Sequence, residues 1–191
     1  DSINVEVDLS DASQIYSFID FNNSLVAFYK MNDSSGILTD YSGNGYDGTI
    51  NGASSVRGKF GDGLSFDGVD DYAEVLRSDF DFPLAPLTVS FWAKETSNPV
   101  ADQKILGTYY NQEILVSGEV SGTMKFWAGG YNAQVDANKN ANEWHHFVMT
   151  IGSEGDRNIY IDNEVIPKGI KGILIEGTQN FQIGSAGGYS D

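Results

Sequence analysis

Short runs in which apolar and polar residues alternate recur along the chain and predict β-strands. The clearest are Leu87–Ala93 and residues 143–151, and Gly, Asn, Ser or Pro residues bound most of the runs. Alternation with a period of two places successive side chains on opposite faces of a strand. No segment keeps the 3.6-residue period of an amphipathic helix, so we predict a single all-β domain. Further strands are predicted at residues 72–76, 104–110, 113–117, 123–128, 173–176 and 181–184, with a hairpin at 158–166 around Asp162 and Asn163.

Two segments near the start of the chain also have strand patterns. Residues 25–31 carry apolar side chains on both sides, as a strand covered on both faces does. Residues 3–9 alternate apolar residues with Asn, Glu and Asp, which predicts a half-buried strand. The apolar side of this strand is formed by Ile3, Val5, Val7 and Leu9.

The segment from Asp40 to Tyr72 is dense in Gly, Asn and Asp, which favours tight turns between short strands. Its first turn brings Asp40, Asn44 and Asp47 together, with glycines between them. Such a set of oxygen ligands suits calcium, which takes several oxygens at once. The alternative is that these side chains build turns by accepting hydrogen bonds from nearby backbone N–H groups. The spacing alone leaves both interpretations open.

A second acidic cluster follows at Asp67, Asp70 and Asp71. The step from Asp67 to Gly68 predicts a hairpin turn between two strands. We favour turn-building over metal ligation for this cluster, because Asp commonly hydrogen-bonds to the backbone of its own turn.

Six motifs follow one another along the chain: LVAFYKMND, DYSGNGYDGTI, GKFGDGLSFDGVDDYAEV, LTVSFWAK, EWHHFVMT and NIYIDNEVI. Several linked motifs in order are far more specific than any one of them. In this order they resemble the laminin-G-like domains of the concanavalin A-like lectin/glucanase superfamily, over residues 18–191. The resemblance implies a two-sheet antiparallel jelly-roll sandwich, often calcium-binding and usually part of an extracellular module.

The resemblance also implies a final strand that lies beyond the segment ending at Asp191. We therefore interpret residues 18–191 as a jelly roll lacking that strand, and residues 1–17 as a strand with a connector. A sheet without one strand leaves a row of unpaired backbone groups. One explanation is that the natural chain continues beyond Asp191 and supplies the strand itself. Our hypothesis is that residues 3–9 pair with this open edge, in their own chain or as a strand donated to the next subunit.

The charge of the chain limits its partners. The formal net charge is -16 and the pI is about 4.2. Phosphate groups are repelled by such a chain, which argues against nucleic acid and anionic membranes. An acidic balance favours cations and neutral sugars. The chain has no Cys, and no apolar run approaches the ~20 residues of a membrane helix, so we predict no membrane insertion.

Aromatic side chains in loops and at strand ends are candidates for binding sugars, because a ring face stacks on the C–H face of a pyranose. The alternative is burial, as we expect for Trp92 and Trp144, since aromatics in strands usually belong to the core. Phe91 and Trp92 are adjacent and point to opposite faces, so one of them should be core. The candidates for carbohydrate binding are Tyr109, Tyr110, Trp127 and Tyr131.

The sequence gives little support for catalysis. His145 and His146 are adjacent in a strand and point to opposite faces, so they do not chelate one metal together. No Gly-X-Ser-X-Gly motif is present. Some glucanases of this fold carry Glu-X-Asp-X-X-Glu on one strand, and residues 6–11 (EVDLSD) only approach that motif.

We predict a non-catalytic recognition or adhesion module at the cell surface or outside the cell, with a structural calcium ion. Its partner is expected to be a glycan or a cell-surface protein. One alternative is a subunit of a surface layer or filament that self-associates by strand donation through residues 3–9. A glycoside hydrolase is the third and least favoured.

Overall fold

The computed structural model describes residues 24–76, 78–79, 86–95, 103–108, 114–118, 124–128, 131–135, 142–171 and 180–184. Within these ranges the chain forms strands joined by turns, which confirms the all-β prediction. The strands are β1 (Ile37–Leu38), β2 (Gly48–Asn51), β3 (Ser54–Arg57), β4 (Asp62–Ser65), β5 (Tyr72–Val75), β6 (Leu87–Ala93), β7 (Gln103–Gly107), β8 (Ile114–Gly118), β9 (Met124–Ala128), β10 (Tyr131–Val135), β11 (His145–Ile151), β12 (Asp156–Ile161), β13 (Glu164–Lys171) and β14 (Phe181–Ile183).

Two antiparallel sheets form the sandwich. The larger sheet has eight strands in the order β1-β2-β5-β14-β7-β8-β9-β10, and the smaller has four in the order β13-β12-β11-β6. Their facing sides meet in one apolar core. The larger sheet contributes buried side chains such as Val75 and Leu106, and the smaller contributes Phe147, Met149 and Ile161. Strict alternation along β11 and β12 places every second residue in this core.

The hairpin of β3 and β4 forms a separate two-stranded sheet beside the sandwich. Its four-residue connection runs from Gly58 to Gly61, where the Gly58 N–H donates to the Gly61 carbonyl at 2.9 Å. Gly61 has φ +69°, a conformation that favours glycine. The tip of this hairpin therefore presents Lys59 and Phe60 outward.

The sequence correctly placed the turn between β12 and β13. Asp162 and Asn163 have φ of 53° and 67°, and the strands on either side pair directly. A two-residue turn with positive φ at both positions has the twist that matches a β-hairpin. Asn and Asp tolerate positive φ better than other residues with a side chain.

Two predictions made from the sequence are wrong. Residues 25–31 form no strand beyond an isolated bridge between Tyr29 and Asp40, because side chains bind backbone groups that a neighbouring strand would otherwise bind. The step from Asp67 to Gly68 is not a hairpin turn. It connects β4 to β5, and these strands belong to different sheets.

Other predictions fall outside the described residues. They include the strand at 173–176 and the pairing strand of Ile3, Val5, Val7 and Leu9, which remain predictions. Strand β10 was not predicted, although Tyr131–Val135 alternates apolar and polar residues over its five positions. Among the described residues, no helix is long and apolar enough to cross a membrane.

Candidate functional site

Trp92 lies on the outer face of the smaller sheet, because β6 alternates between core and surface. Leu87, Val89, Phe91 and Ala93 pack against the core, and Phe91 stacks on Phe147 with ring centroids 5.2 Å apart. Trp92 is 38% exposed. The prediction that one of Phe91 and Trp92 is core is confirmed for Phe91, while the expectation that Trp92 is core is wrong.

The ring of Trp92 contacts two elements that are distant in sequence. His146, its partner on β11, stacks on the indole with centroids 5.0 Å apart. Phe60 from the β3–β4 hairpin meets the indole edge to face at 5.6 Å, and the Lys59 ammonium lies 4.7 Å from the indole centroid. Phe60 is 55% exposed, so the hairpin tip adds an open aromatic surface beside Trp92.

The same surface continues along both strands. Lys94 lies two residues after Trp92, Trp144 lies two residues before His146, and the Lys94 ammonium is 5.4 Å from the Trp144 ring. On the other side of Trp92, the Ser90 hydroxyl is 2.8 Å from His146 Nε2. We call this surface the aromatic–basic patch. It consists of Lys59, Phe60, Ser90, Trp92, Lys94, Trp144 and His146.

The residue pattern of β6 indicates which side of this strand is exposed. In Leu87–Ala93 the other residues on the Trp92 side are Thr88 and Ser90, both polar, which marks that side as the outer one. The contribution of Lys59 and Phe60 had no local signal, because the hairpin reaches β6 only in the folded chain.

Asp40 is 8% exposed, and its carboxylate organises the segment around it. Oδ1 accepts the backbone N–H groups of Phe28 and Ser42, both at 2.9 Å. Oδ2 accepts the Ser42 hydroxyl at 2.7 Å and the Tyr46 N–H at 3.0 Å. Burial alone would raise the pKa of Asp40, but these hydrogen bonds together hold it below its ordinary value. Four hydrogen bonds fill the acceptor positions of one carboxylate.

The other two predicted metal ligands of this loop contact different partners. Asp47 Oδ1 accepts the Asp40 N–H at 2.8 Å, and the Asn44 amide donates to the carbonyls of Leu25 and Val26 at 2.9 Å. The Asp47 contact is the kind expected of the turn-building alternative, whereas Asn44 contacts a segment that is distant in sequence. Calcium ligation by Asp40, Asn44 and Asp47 remains a prediction.

The carboxylates of Asp67, Asp70 and Asp71 each offer an oxygen within 4.8 Å of the others, so this triad could hold a metal ion. Turn contacts are present as well. Asp67 Oδ1 accepts the N–H of Val69 at 2.8 Å, and Asp71 Oδ2 accepts the Asp67 N–H at 3.0 Å. The backbone N–H groups, that of Val69 foremost, lower the pKa of Asp67 and favour its ionised form.

The two histidines point to opposite faces, as predicted. His145 Nδ1 is 2.7 Å from Asp162 Oδ2, whereas the His146 ring contacts Ser90 and Trp92. Asp162 Oδ1 accepts the backbone N–H of His146 at 3.0 Å. The Asp162 carboxylate and the Ser90 hydroxyl thus contact different imidazoles, so these residues do not form a Ser-His-Asp relay.

A polar row crosses three strands of the larger sheet. The Lys104 ammonium donates to Gln182 Oε1 at 3.3 Å, and the Gln182 amide donates to Glu74 Oε1 at 2.8 Å. Burial lowers the pKa of Lys104, and Glu74 opposes that shift. The row links β7, β14 and β5 on the face turned away from the core.

The predicted sugar-binding residues are not tested by these contacts. Tyr109 and Tyr110 lie outside the described residues. Trp127 and Tyr131 occupy positions in β9 and β10, where Trp127 pairs with Asn132 and Tyr131 pairs with Ala128. The structure describes the backbone of these two residues but not their side chains.

Solved structures with a similar fold include binding domains and an enzyme. The binding domain of Paraclostridial Mosquitocidal Protein 1 aligns with a TM-score of 0.64 and 17% identity, over 81% of this chain and 43% of that chain. The ligand binding domain of Botulinum neurotoxin serotype D, in complex with N-acetylneuraminic acid, aligns with a TM-score of 0.59 and 15% identity, over 83% and 42%. Trypanosoma rangeli sialidase in complex with sialic acid aligns with a TM-score of 0.65 and 14% identity, over 86% and 28%.

This chain spans less than half the length of each of these three proteins. Identities this low establish a shared fold and leave function open. No curated protein matches the chain. A laminin-G-like family model, described as the Concanavalin A-like lectin/glucanases superfamily, matches residues 67–191. The chain therefore belongs to the laminin-G-like domains of the concanavalin A-like lectin/glucanase superfamily.

Proposed function

We propose that this chain is a non-catalytic module that recognises a glycan at the aromatic–basic patch. The observation that carries the proposal is the right-angled pair of exposed rings formed by Trp92, on the outer face of the smaller sheet, and Phe60, at the tip of the β3–β4 hairpin. An exposed ring offers an apolar face for the C–H groups of a pyranose. Ser90 and His146 beside it supply polar atoms for sugar hydroxyl groups.

Related structures support recognition as the function class. Two of them are named as binding domains, and one of these was solved with N-acetylneuraminic acid. Because those proteins share only the fold, we place the site by the contacts around Trp92. We further propose that the module acts at the cell surface or outside the cell, where adhesion to a glycan or a cell-surface protein is its role.

The proposal assigns no catalytic residue. The sialidase match covers only 28% of that enzyme, so the shared fold carries no active site over to this chain. In the patch, the Ser90 hydroxyl contacts the His146 imidazole, and among the described residues no carboxylate orients that imidazole.

A structural calcium ion is part of the proposal. The Asp67, Asp70 and Asp71 carboxylates are the described donor set that fits a hard cation, because their oxygens already lie close together. Their mutual repulsion would be relieved by the ion.

The test is glycan binding by the intact chain and by two variants, Trp92→Ala and Phe60→Ala. Immobilised glycans are screened first, and hits are measured in solution by calorimetry. Tyr41→Ala is the matched control, since Tyr41 is also 44% exposed and also carries a lysine, Lys30, over its ring. We expect both patch variants to lose at least tenfold in affinity while the control keeps it. Equal binding by all four proteins would refute the site.

Strand donation remains a second candidate function, and one observation favours it. Among the described residues, β6 is the last strand of the smaller sheet, and no strand pairs with its outer edge. Residues 3–9 match β6 in length and in alternation. Removal of residues 1–10 should then lower the oligomeric state measured by light scattering, and an unchanged mass would argue against this role.

A further inference from the structure

We infer that the aromatic–basic patch selects anionic sugars, those that carry a carboxylate, over their neutral counterparts. The inference rests on the proposed function and adds the class of ligand. It comes from the charges of the patch, and so it can fail while glycan recognition itself stands.

Two lysines of the patch form no ion pair with a carboxylate of the described residues. The Lys59 ammonium lies over Trp92 and the Lys94 ammonium over Trp144. An aromatic face attracts a cation but does not neutralise it, so both charges remain available to an anion.

These cations stand out against the rest of the chain. The protein has 27 Asp and Glu residues against 11 Lys and Arg, so its overall field repels anions. Exposed lysines in so acidic a chain would ordinarily be placed near carboxylates. Here the two lysines instead lie over the two tryptophans of one surface. His146 on β11 stacks on Trp92 in the same surface.

The geometry combines apolar and charged recognition at one place. Phe60 and Trp92 meet with an interplanar angle of 89°, which forms an aromatic corner. Lys59 precedes Phe60 at the tip of the same hairpin, so its ammonium lies at this corner. A sugar ring packed against Phe60 would place a carboxylate substituent within reach of Lys59. The Ser90 hydroxyl contacts His146, whose ring stacks on the same indole.

The experiment compares acidic glycans with neutral counterparts that lack either the carboxylate alone or the whole acidic sugar residue. The probes are 3′-sialyllactose against lactose and methyl glucuronide against methyl glucoside, measured at low and at physiological ionic strength. We expect the acidic member of at least one pair to bind about tenfold more tightly. We also expect that preference to shrink as salt rises, because contacts with exposed lysines are screened.

Variants that remove a positive charge then test the preference for acidic glycans separately from glycan recognition itself. Lys59→Gln should weaken binding of the acidic member about three- to tenfold more than it weakens binding of the neutral member. Lys30→Gln is the control, because it removes one lysine from an exposed aromatic ring elsewhere. Circular dichroism of each variant checks that the fold is kept.

The outcomes are distinguishable. If the neutral glycan binds as well as the acidic one and Trp92→Ala abolishes both, the ligand-class inference fails and the proposed function stands. If Lys30→Gln and Lys59→Gln weaken acidic binding equally, the effect is one of net charge and the inference also fails. If no glycan binds, or Trp92→Ala changes nothing, the proposed site fails as well.

Discussion

Phe60 and Trp92 lie 32 residues apart in sequence and meet edge to face, with ring centroids 5.6 Å apart and an interplanar angle of 89°. This contact fixes the tip of a two-stranded hairpin to a strand of a different sheet. It also creates the exposed aromatic corner on which the proposed recognition depends. The same pair therefore holds the hairpin against β6 and also offers an exposed aromatic surface to a ligand.

A double-mutant cycle measures how much the contact between the two rings contributes to the free energy of unfolding. Phe60→Ala and Trp92→Ala should show a coupling free energy of about 0.5–1.5 kcal/mol, the usual value for an aromatic pair beyond its buried area. Urea denaturation of the four proteins gives the coupling. The pair Phe60→Ala with Tyr41→Ala is the control and should be additive. A coupling near zero would show that the rings do not stabilise each other in solution.

Asp40→Ala should be strongly destabilising, by about 2–4 kcal/mol, because three backbone N–H groups and one hydroxyl lose their acceptor. The ionised carboxylate is the stabilised form, since its pKa is lowered in the folded state. Its contribution is therefore present above the unfolded pKa and is lost as pH falls through the folded pKa, below the ordinary value of 3.8.

Urea midpoints measured from pH 6 down to pH 2 test this sign. The difference between the native protein and Asp40→Ala should shrink only in the acidic part of that range. Glu154→Ala removes an exposed carboxylate in a turn and serves as the control. It should change the free energy of unfolding little at any pH in this range. A constant difference down to pH 2 would contradict the assignment.

Gly184→Ala should lower the free energy of unfolding by about 2–4 kcal/mol. Gly184 has φ +75°, and a Cβ there would collide with the ring of Phe66. Strain from the positive φ and overpacking both contribute. Gly43→Ala is the matched control, because Gly43 has φ +91° with open space around it and should show the φ cost alone, about 1 kcal/mol.

Adding Phe66→Ala to Gly184→Ala separates the steric part. We expect the double variant to lose less stability than the sum of the two single variants, because the small side chain makes room for the new methyl group. Thermal denaturation of all four proteins provides the values. Strict additivity would mean that Phe66 does not limit this position.

Calcium at millimolar concentration should raise the Tm, since an ion bound only by the folded state stabilises it. Asp70→Ala should remove that increase with little change in the calcium-free Tm. Asp70 is exposed, and its carboxylate accepts no hydrogen bond among the described residues. Magnesium serves as the ion control, because it demands a smaller and more regular oxygen shell.

Asp47→Ala distinguishes the two acidic clusters. If that variant, rather than Asp70→Ala, loses the response to calcium, the ion binds at the cluster of Asp40, Asn44 and Asp47. No response in the native protein would remove calcium from the proposal.

The sequence determined the strands that have a clear local pattern. In β6 and β11, alternation separates core positions such as Phe91 and Phe147 from surface positions, and the φ values of Asp162 and Asn163 follow from residue types that tolerate a tight turn. Composition and motif order were also enough to identify the fold family, which the family model supports over residues 67–191.

The tertiary structure decided what local pattern could not. Residues 25–31 have the composition of a strand, yet hydrogen bonds from Asp40 and Asn44 compete for their backbone groups. Alternation in β6 separates Phe91 from Trp92, and the polar residues on the Trp92 side mark that side as the outer one. Only the folded chain brings the β3–β4 hairpin to this side. The aromatic–basic patch joins residues from β6, β11 and the β3–β4 hairpin, and such a contact depends on how distant segments pack, which no short window of sequence encodes.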